Sequence, residues 1–329
     1  VNVEAILEAL PRMSALVVGD VCLDRWCTYD PTQAEPSRET GIPRIGVVST
    51  ESTPGAAGTV ANNLAALGVG RVAVLGAIGD DGFGLELSRA LESRGVSSDL
   101  CVRTPAIQTF TYTKVINRDT GAEDFPRLDF INTAPLPGDV ERQILDQAQS
   151  AVEGFDVILV ADQAETSAGG VITPAVREAL CDLCAAFPEK VFFADSRARI
   201  QHFRRVVVKP NQQEAEAAAR ALFGRVDYPA LRAHTQSSLL MVTHGGEGVL
   251  VVDGAGEHWV KTRPVANPVD ICGAGDSFSA GAAMTLAVTG SGEEAARFGN
   301  LVASITIMKK GTGVASPDEV RRQYANTRD

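Results

Sequence analysis

Aromatic residues are scarce in this chain, at 5% of 329, which disfavours a pocket built to stack a nucleobase. Histidine is scarcer still: the 4 present form neither a metal-binding nor a triad pattern. Basic residues are outnumbered, 30 Lys and Arg against 41 Asp and Glu, giving a net charge of −11. That balance argues against nucleic-acid partners, which need clustered cations. No apolar run approaches the ~18 residues of a membrane span. Residues 1–10 are amphipathic and acidic rather than basic and apolar, so no secretory leader is expected and the expected compartment is the cytoplasm. The 6 cysteines (22, 27, 101, 181, 184 and 272) follow no disulfide framework, which suits reducing surroundings. Cys181 and Cys184 form a CxxC inside a helical pattern with no second pair, and read as buried helix cysteines. Two nucleotide-binding signatures are also missing. No Gly-Lys dipeptide occurs, so there is no Walker A loop. Gly68-Val69-Gly70 precedes its strand instead of following one, which excludes a Rossmann dinucleotide fingerprint.

What is present is an alternation. Short β-branched apolar runs at 15–18, 72–75, 157–160, 191–194, 206–208, 239–242 and 249–252 read as buried strands. Helical patterns at 59–67, 84–94, 137–152, 173–187 and 212–222 lie between them. This rhythm predicts an α/β fold with a mostly parallel central sheet flanked by helices. Segments 22–50 and 104–133 break it. The second holds an alternating run, Phe110 to Ile116, and then Leu128-Asp129-Phe130. Both are expected to form a small β-lid on a single domain spanning 1–329, since lids close over sites and exclude water. The bland reading is two surface loops.

Four groups of residues could carry chemistry. Gly273-Ala274-Gly275-Asp276 follows a strand-like stretch at 258–265 and opens a small-residue helix at 278–288. Its amides could approach an anion, and its Asp could accept a hydroxyl proton; the alternative is an N-cap Asp after a glycine turn. Asn211 and Glu214, in Lys209-Pro210-Asn211-Gln212-Gln213-Glu214, fit a capping box. They fit equally an amide and a carboxylate that orient water around Mg2+. Thr243-His244-Gly245-Gly246-Glu247-Gly248 follows a strand and suits either a turn or a nucleotide loop. Near the N-terminus, Asp20, Asp24 and Pro54-Gly55-Ala56-Ala57-Gly58-Thr59 could hold polyol hydroxyls, though each suits a turn as well. The run from Gly79 to Gly84 reads as a helix cap.

Taken together, these motifs resemble the ribokinase-like, or PfkB, family of carbohydrate kinases. The resemblance runs from "VVGDVCLD" through "PGAAGTVANNLAALG" and "GAIGDDGFGLEL" to "KPNQQE", "THGGEG" and "DICGAGDSFSAG". "DRWCTYDP", "RLDF" and "ADSR" are similar to the heptose-7-phosphate kinase branch, the kinase half of bifunctional ADP-heptose synthases; the nucleotidyltransferase half is not expected in this chain. The resemblance implies transfer of the ATP γ-phosphate to a hydroxyl of a sugar or sugar phosphate. It implies Asp276 as base and the backbone of Gly273, Ala274 and Gly275 as anion hole. Asn211 and Glu214 would serve Mg2+, with Thr243, Gly245, Gly248 and Asn300 at the nucleotide. Asp20, Asp24, Gly55 and Thr59 would face the sugar. Asp270 and the backbone near Gly311 and Gly313 match a monovalent-cation region, such as K+ occupies in similar kinases. A homodimer paired through the lid is also expected.

Two departures bear on specificity. Ala56 replaces a family glycine, and Thr59 stands where an Asn is usual. Ile271 and Cys272 replace Thr or Ser beside the cation region. If the acceptor is already phosphorylated, Lys114, Arg127, Arg197 and Arg25 are the candidate phosphate partners, the first two on the lid. A nucleoside or vitamin-like alcohol kinase of the same fold, or a catalytically silent binding protein, are the alternatives.

Overall fold

The computed structural model describes residues 2–326 except Glu165 and Ser167. The chain opens with α1 (Val3–Ala9), β1 (Ser14–Gly19), β2 (Val21–Tyr29) and β3 (Val47–Ala56). It continues through α2 (Ala57–Ala66), β4 (Arg71–Leu75), β5 (Ala77–Gly79), α3 (Gly82–Glu92), β6 (Val96–Ser97) and β7 (Val102–Thr104). Next come β8 (Thr111–Asn117), β9 (Leu128–Phe130), α4 (Gly138–Ala151), β10 (Val157–Asp162), α5 (Pro174–Ala186) and β11 (Val191–Ser196). Then follow β12 (Val207–Val208), α6 (Gln212–Phe223), α7 (Tyr228–His234), β13 (Leu240–Thr243), β14 (Gly248–Asp253) and β15 (Gly256–Lys261). Three helices close the chain: α8 (Ala274–Thr289), α9 (Gly292–Thr306) and α10 (Pro317–Asn326).

Among the described residues nine strands form one sheet in the order β15-β14-β13-β12-β11-β10-β1-β4-β6. It is parallel from β13 to β6, while β14 and β15 extend it as antiparallel strands. Alternate side chains of each strand go to opposite faces, so the apolar runs feed two cores. Val17 and Leu159 join Leu64, Phe298 and Val302 on the face covered by α1, α2, α3, α8, α9 and α10. Leu16, Val18, Ile158 and Val160 pack with Ile144, Val176 and Leu180 on the face covered by α4 to α7. All seven strands expected from sequence are present, with boundaries moved by a residue or two.

The segments expected to form a lid make a separate four-stranded sheet, ordered β3-β2-β8-β9. β2 leaves the central sheet one residue after β1 ends, and β3 runs straight into α2, so this sheet grows from the carboxyl edge of the large one. Its middle pair, β2 and β8, is parallel, joined by a long excursion through α2 and α3. β5 and β7 form a separate two-stranded parallel ribbon.

Candidate active site

In an open parallel sheet, loops at the carboxyl ends of the strands gather on one side. Here those loops carry Asp20 after β1, Gln163 after β10, Arg197 after β11, Lys209 after β12 and the loop from His244 after β13. Two adjoining cavities open among them. The smaller, about 220 Å³, is lined by Asp24, Thr59, Lys114, Arg127, Asp270 and Asp276, among others. The larger, about 670 Å³, is lined by Asn211, Glu214, Thr243, Gly245, Gly248 and Asn300, with the amide-bearing loop Gly273–Gly275 between the two. Most of the sequence-derived site residues therefore converge, divided into two groups.

Helix α8 begins at Ala274, four residues before the expected run. Gly273 is its N-cap, in the left-handed region at φ 77°, and no side chain caps this end. A Cβ there would press on Thr59 Cγ2 at 3.2 Å and Thr312 Cγ2 at 3.3 Å, so both conformation and space call for glycine. Asp276 is consequently not the N-cap but a first-turn residue, at the end where the helix dipole favours negative charge. It lines both cavities. Burial pushes its carboxyl up to about 7, with Asp195 adding to the rise and Lys209 opposing it. Near that value a carboxylate is a far stronger base than an exposed one at 3.8 and is still ionised in a large fraction at neutral pH.

Lys209 explains part of this setting. Its side chain is 3% exposed, and Nζ lies 2.7 Å from Asp195 Oδ2, a carboxylate that also accepts from Ser279 Oγ on α8. This ion pair lies beneath the loop, with Nζ 3.5 Å from where a Cβ on Gly275 would stand. Sequence reasoning missed the Lys209–Asp195 pair, although Lys209 stands in a quoted motif, because its partner is on a different strand.

Asn211 and Glu214 do form a capping box at the start of α6. The Glu214 amide donates to Asn211 Oδ1 at 2.9 Å, and the Asn211 amide donates to Glu214 Oε2 at 2.7 Å. The box holds both side chains at the wall of the larger cavity, so the structural reading and the ligand reading coexist. Burial, followed by the nearby Asp195, raises the Glu214 carboxyl above its usual range.

At the smaller cavity, Asp24 stands on β2 opposite Thr53 of β3. A Cβ on Gly55 would meet Asp24 Oδ2 and Cys22 Sγ at 2.6 Å each, so Gly55 makes room for those side chains and is not among the residues lining the cavity. Burial pushes the Asp24 carboxyl to about 6, with Arg127 and Lys114 pulling down. Both cations are braced: Lys114 Nζ is 3.7 Å from Glu123, and Arg127 grips Asp129 with two prongs at 2.6 and 2.7 Å. Arg127 also lies 4.8 Å over the Tyr112 ring. Thr59 Oγ1 donates to the Pro54 carbonyl at 3.2 Å, which fixes the turn into α2. Asp270 accepts the amides of Cys272 at 2.9 Å and Gly311 at 3.1 Å, tying the Gly273 loop to the chain after α9.

Like Gly55, a second residue expected to face the sugar does not line the cavity. Asp20 is 4% exposed, and its carboxylate accepts the amides of Gln163 (2.9 Å), Ala164 (2.8 Å) and Val171 (2.7 Å). With both oxygens committed to backbone, it shapes the loop after β10 rather than a ligand. The strand-like stretch 258–265 ends at Lys261, and Thr262 to Val265 become cavity wall instead. The Gly79–Gly84 run caps as expected: Asp81 accepts the Gly84 amide at 2.7 Å. Cys181 and Cys184 lie on α5 as free thiols, raised by burial; Cys181 is buried and Cys184 half-buried.

The family model described as pfkB family carbohydrate kinase matches residues 15–319. The chain belongs to this family. It is a carbohydrate kinase by that membership, and the loop Gly273–Asp276 falls within the matched span. Among curated relatives, a bifunctional protein HldE of Trichlorobacter lovleyi is 31% identical over 325 residues, covering 97% of this chain and 64% of that protein. The chain spans 64–65% of the length of the curated relatives first matched. Among solved structures, Escherichia coli phosphofructokinase-2 in complex with potassium superposes at a TM-score of 0.69 and 22% identity, covering 96% of this chain and 100% of that one. Arabidopsis thaliana ribokinase complexed with ribose and ATP gives 0.65 at 18% identity, covering 94% and 98%. At these identities the solved structures speak for the fold, a ribokinase-like α/β sandwich.

Proposed function

We propose that this kinase transfers the γ-phosphate of ATP to a hydroxyl of a sugar that already carries a phosphate, with a heptose 7-phosphate as the leading acceptor. The observation that carries the reading is the pairing of Asp276, at the junction of two cavities, with cations Lys114 and Arg127 in the smaller one. The nucleotide would occupy the larger cavity, its phosphates directed at the amides of Gly273–Gly275, where backbone donors and the α8 dipole favour anions. Asp276 would align the acceptor hydroxyl and take its proton, while Lys114 and Arg127 would hold the acceptor's own phosphate.

Asn211 and Glu214 bring oxygen atoms to the nucleotide cavity and fit a Mg2+ held through water, an ion that keeps much of its hydration shell. Bound with the nucleotide, Mg2+ would offset charge on the phosphate oxygens. A monovalent cation such as K+ would belong beside Asp270, where two loops are already tied together. The small sheet would act as a lid over the acceptor. It would also pair two copies of the chain, because its edge strands expose Val47, Val48 and Leu128 to solvent.

The test is ADP release over a panel of free sugars, sugar phosphates and nucleosides; the nucleosides belong in it because Trp26 and Tyr112 also line the smaller cavity. Turnover is expected to be highest with a sugar phosphate. Arg127→Ala should lower kcat/KM at least ~10-fold on phosphorylated acceptors, the order expected for a charge-assisted contact, and much less on free sugars. Equal loss on both would rule out the phosphate clamp.

A further inference from the structure

Among the described residues four line both cavities: Gln163, Arg197, Gly273 and Asp276. A γ-phosphoryl group passing from nucleotide to acceptor must cross this junction. Gly273 and its neighbours provide amides there, and Asp276 provides the base. Arg197 is the one cation of the four. Its charge acts on groups of both sides, pulling down the carboxyls of Asp276 and Glu214 and the thiol of Cys22.

The backbone that carries Arg197 is unusually well fixed for an exposed loop. The Arg197 amide donates to the Asp162 carbonyl at 3.1 Å. One residue before it, Ser196 Oγ donates to Asp162 Oδ2 at 2.6 Å. Two residues after it, the Arg199 amide donates to Ser196 Oγ at 3.0 Å, and Arg199 Nε reaches Asp162 Oδ2 at 3.0 Å. Asp162 is fully buried, Arg199 is the cation ion-paired to it among the described residues, and neither residue lines the two cavities. On the other flank, Asp195 is locked to Lys209. A buried ion pair is weak evidence for stability, but the contacts among Asp162, Ser196 and Arg199 bracket residue 197 on both sides. With the Arg197 amide on the Asp162 carbonyl, they fix the backbone at residue 197.

We propose that Arg197 is a catalytic residue that spans donor and acceptor sites and stabilises the phosphoryl group in transit, and that Asp162, Ser196 and Arg199 are its positioning residues. In the transfer, the acceptor oxygen forms a bond to the γ-phosphorus as the bond from phosphorus to the β,γ-bridging oxygen breaks. The acceptor proton goes to Asp276, and the bridging electron pair leaves with ADP. Negative charge spreads over the three equatorial oxygens, and a planar guanidinium offers them several donors at once. This assigns Arg197 to the moving phosphoryl group, not to the phosphate the acceptor brings. It rests on the kinase reading above.

The test compares Arg197→Gln and Arg197→Lys with the unmodified protein, using ATP and the acceptor turned over fastest in the panel, together with its unphosphorylated counterpart. Arg197→Gln should lose at least ~10²-fold in kcat on both acceptors, the scale of a lost transition-state donor or arginine finger, with each KM within ~3-fold. Lysine should restore part of that loss. In a second arm, thermal melting is recorded with ADP and with ADP plus aluminium fluoride and acceptor. The stabilisation by ADP should survive in Arg197→Gln, while the additional shift from fluoride disappears. A loss seen only as raised KM for the phosphorylated acceptor, a loss of ADP binding itself, or unchanged kcat would each overturn the assignment. No ADP release by the unmodified protein with any acceptor would instead sink the kinase reading beneath it.

Discussion

Replacing Lys209 by methionine separates the electrostatics of Asp276 from its position. Lys209 is buried and paired, and it opposes the rise that burial and Asp195 impose on the Asp276 carboxyl. Methionine keeps most of the volume and removes the charge, leaving Asp195 uncompensated beside the base. At an effective dielectric near 20 two unit charges about 4 Å apart interact by about 4 kcal/mol, and even at twice that separation by about 2 kcal/mol, more than one pH unit. The sign follows from the base having to be ionised. The acid limb of kcat/KM, which reports the free enzyme, is expected near pH 7 in the unmodified protein. In Lys209→Met it should move to higher pH by about one unit or more, whatever happens to the height of the profile. Stability should fall as well, because removing one partner of a buried pair costs about 3–5 kcal/mol. The assay is a pH series of kcat/KM with nucleotide and acceptor both kept below saturation, run below the melting temperature of the variant. An acid limb that stays in place in a folded Lys209→Met protein would refute the coupling and, with it, the identity of the titrating base.

Asp20→Ala should destabilise the fold by about 3 kcal/mol or more, since three backbone amides lose a buried acceptor; calorimetric or denaturant unfolding checks this, and a near-neutral result would restore Asp20 as a candidate ligand. Glu214→Gln retains an oxygen able to accept the Asn211 amide, so the melting temperature should hold while the Mg2+ concentration for half-maximal activity rises about tenfold, a change of ~1.4 kcal/mol. An unchanged Mg2+ titration would leave Glu214 as a helix cap alone.

Much of this was readable from residues in order. Buried parallel strands announce themselves as apolar runs because both faces are covered, and residues after such strands must gather at one edge. That logic places Asn211, Thr243 and Gly273–Asp276 at that edge from the sequence alone. It failed where a role depends on a partner far along the chain. Asp20 reads like hydroxyl-binding equipment, yet its carboxylate is taken up by amides 143 to 151 residues away. Local spacing carries no trace of that contact. The Lys209–Asp195 pair and the sharing of Arg197 between two cavities are hidden for the same reason. The small sheet was half legible: the alternation in β8 marks a strand, but its parallel pairing with β2 is set by topology. The N-cap reading of Asp276 failed because Gly273, free to adopt a left-handed conformation, starts α8 three residues earlier.

The most direct measurement is the turnover of Asp276→Asn. The amide keeps the shape of the side chain and cannot accept the hydroxyl proton at neutral pH. With Asp276 as the base, kcat should fall at least ~10²-fold while the melting temperature and ADP affinity stay near those of the unmodified protein. Turnover close to the unmodified rate in a well-folded variant would contradict the assignment of Asp276 and the chemistry built on the loop before it.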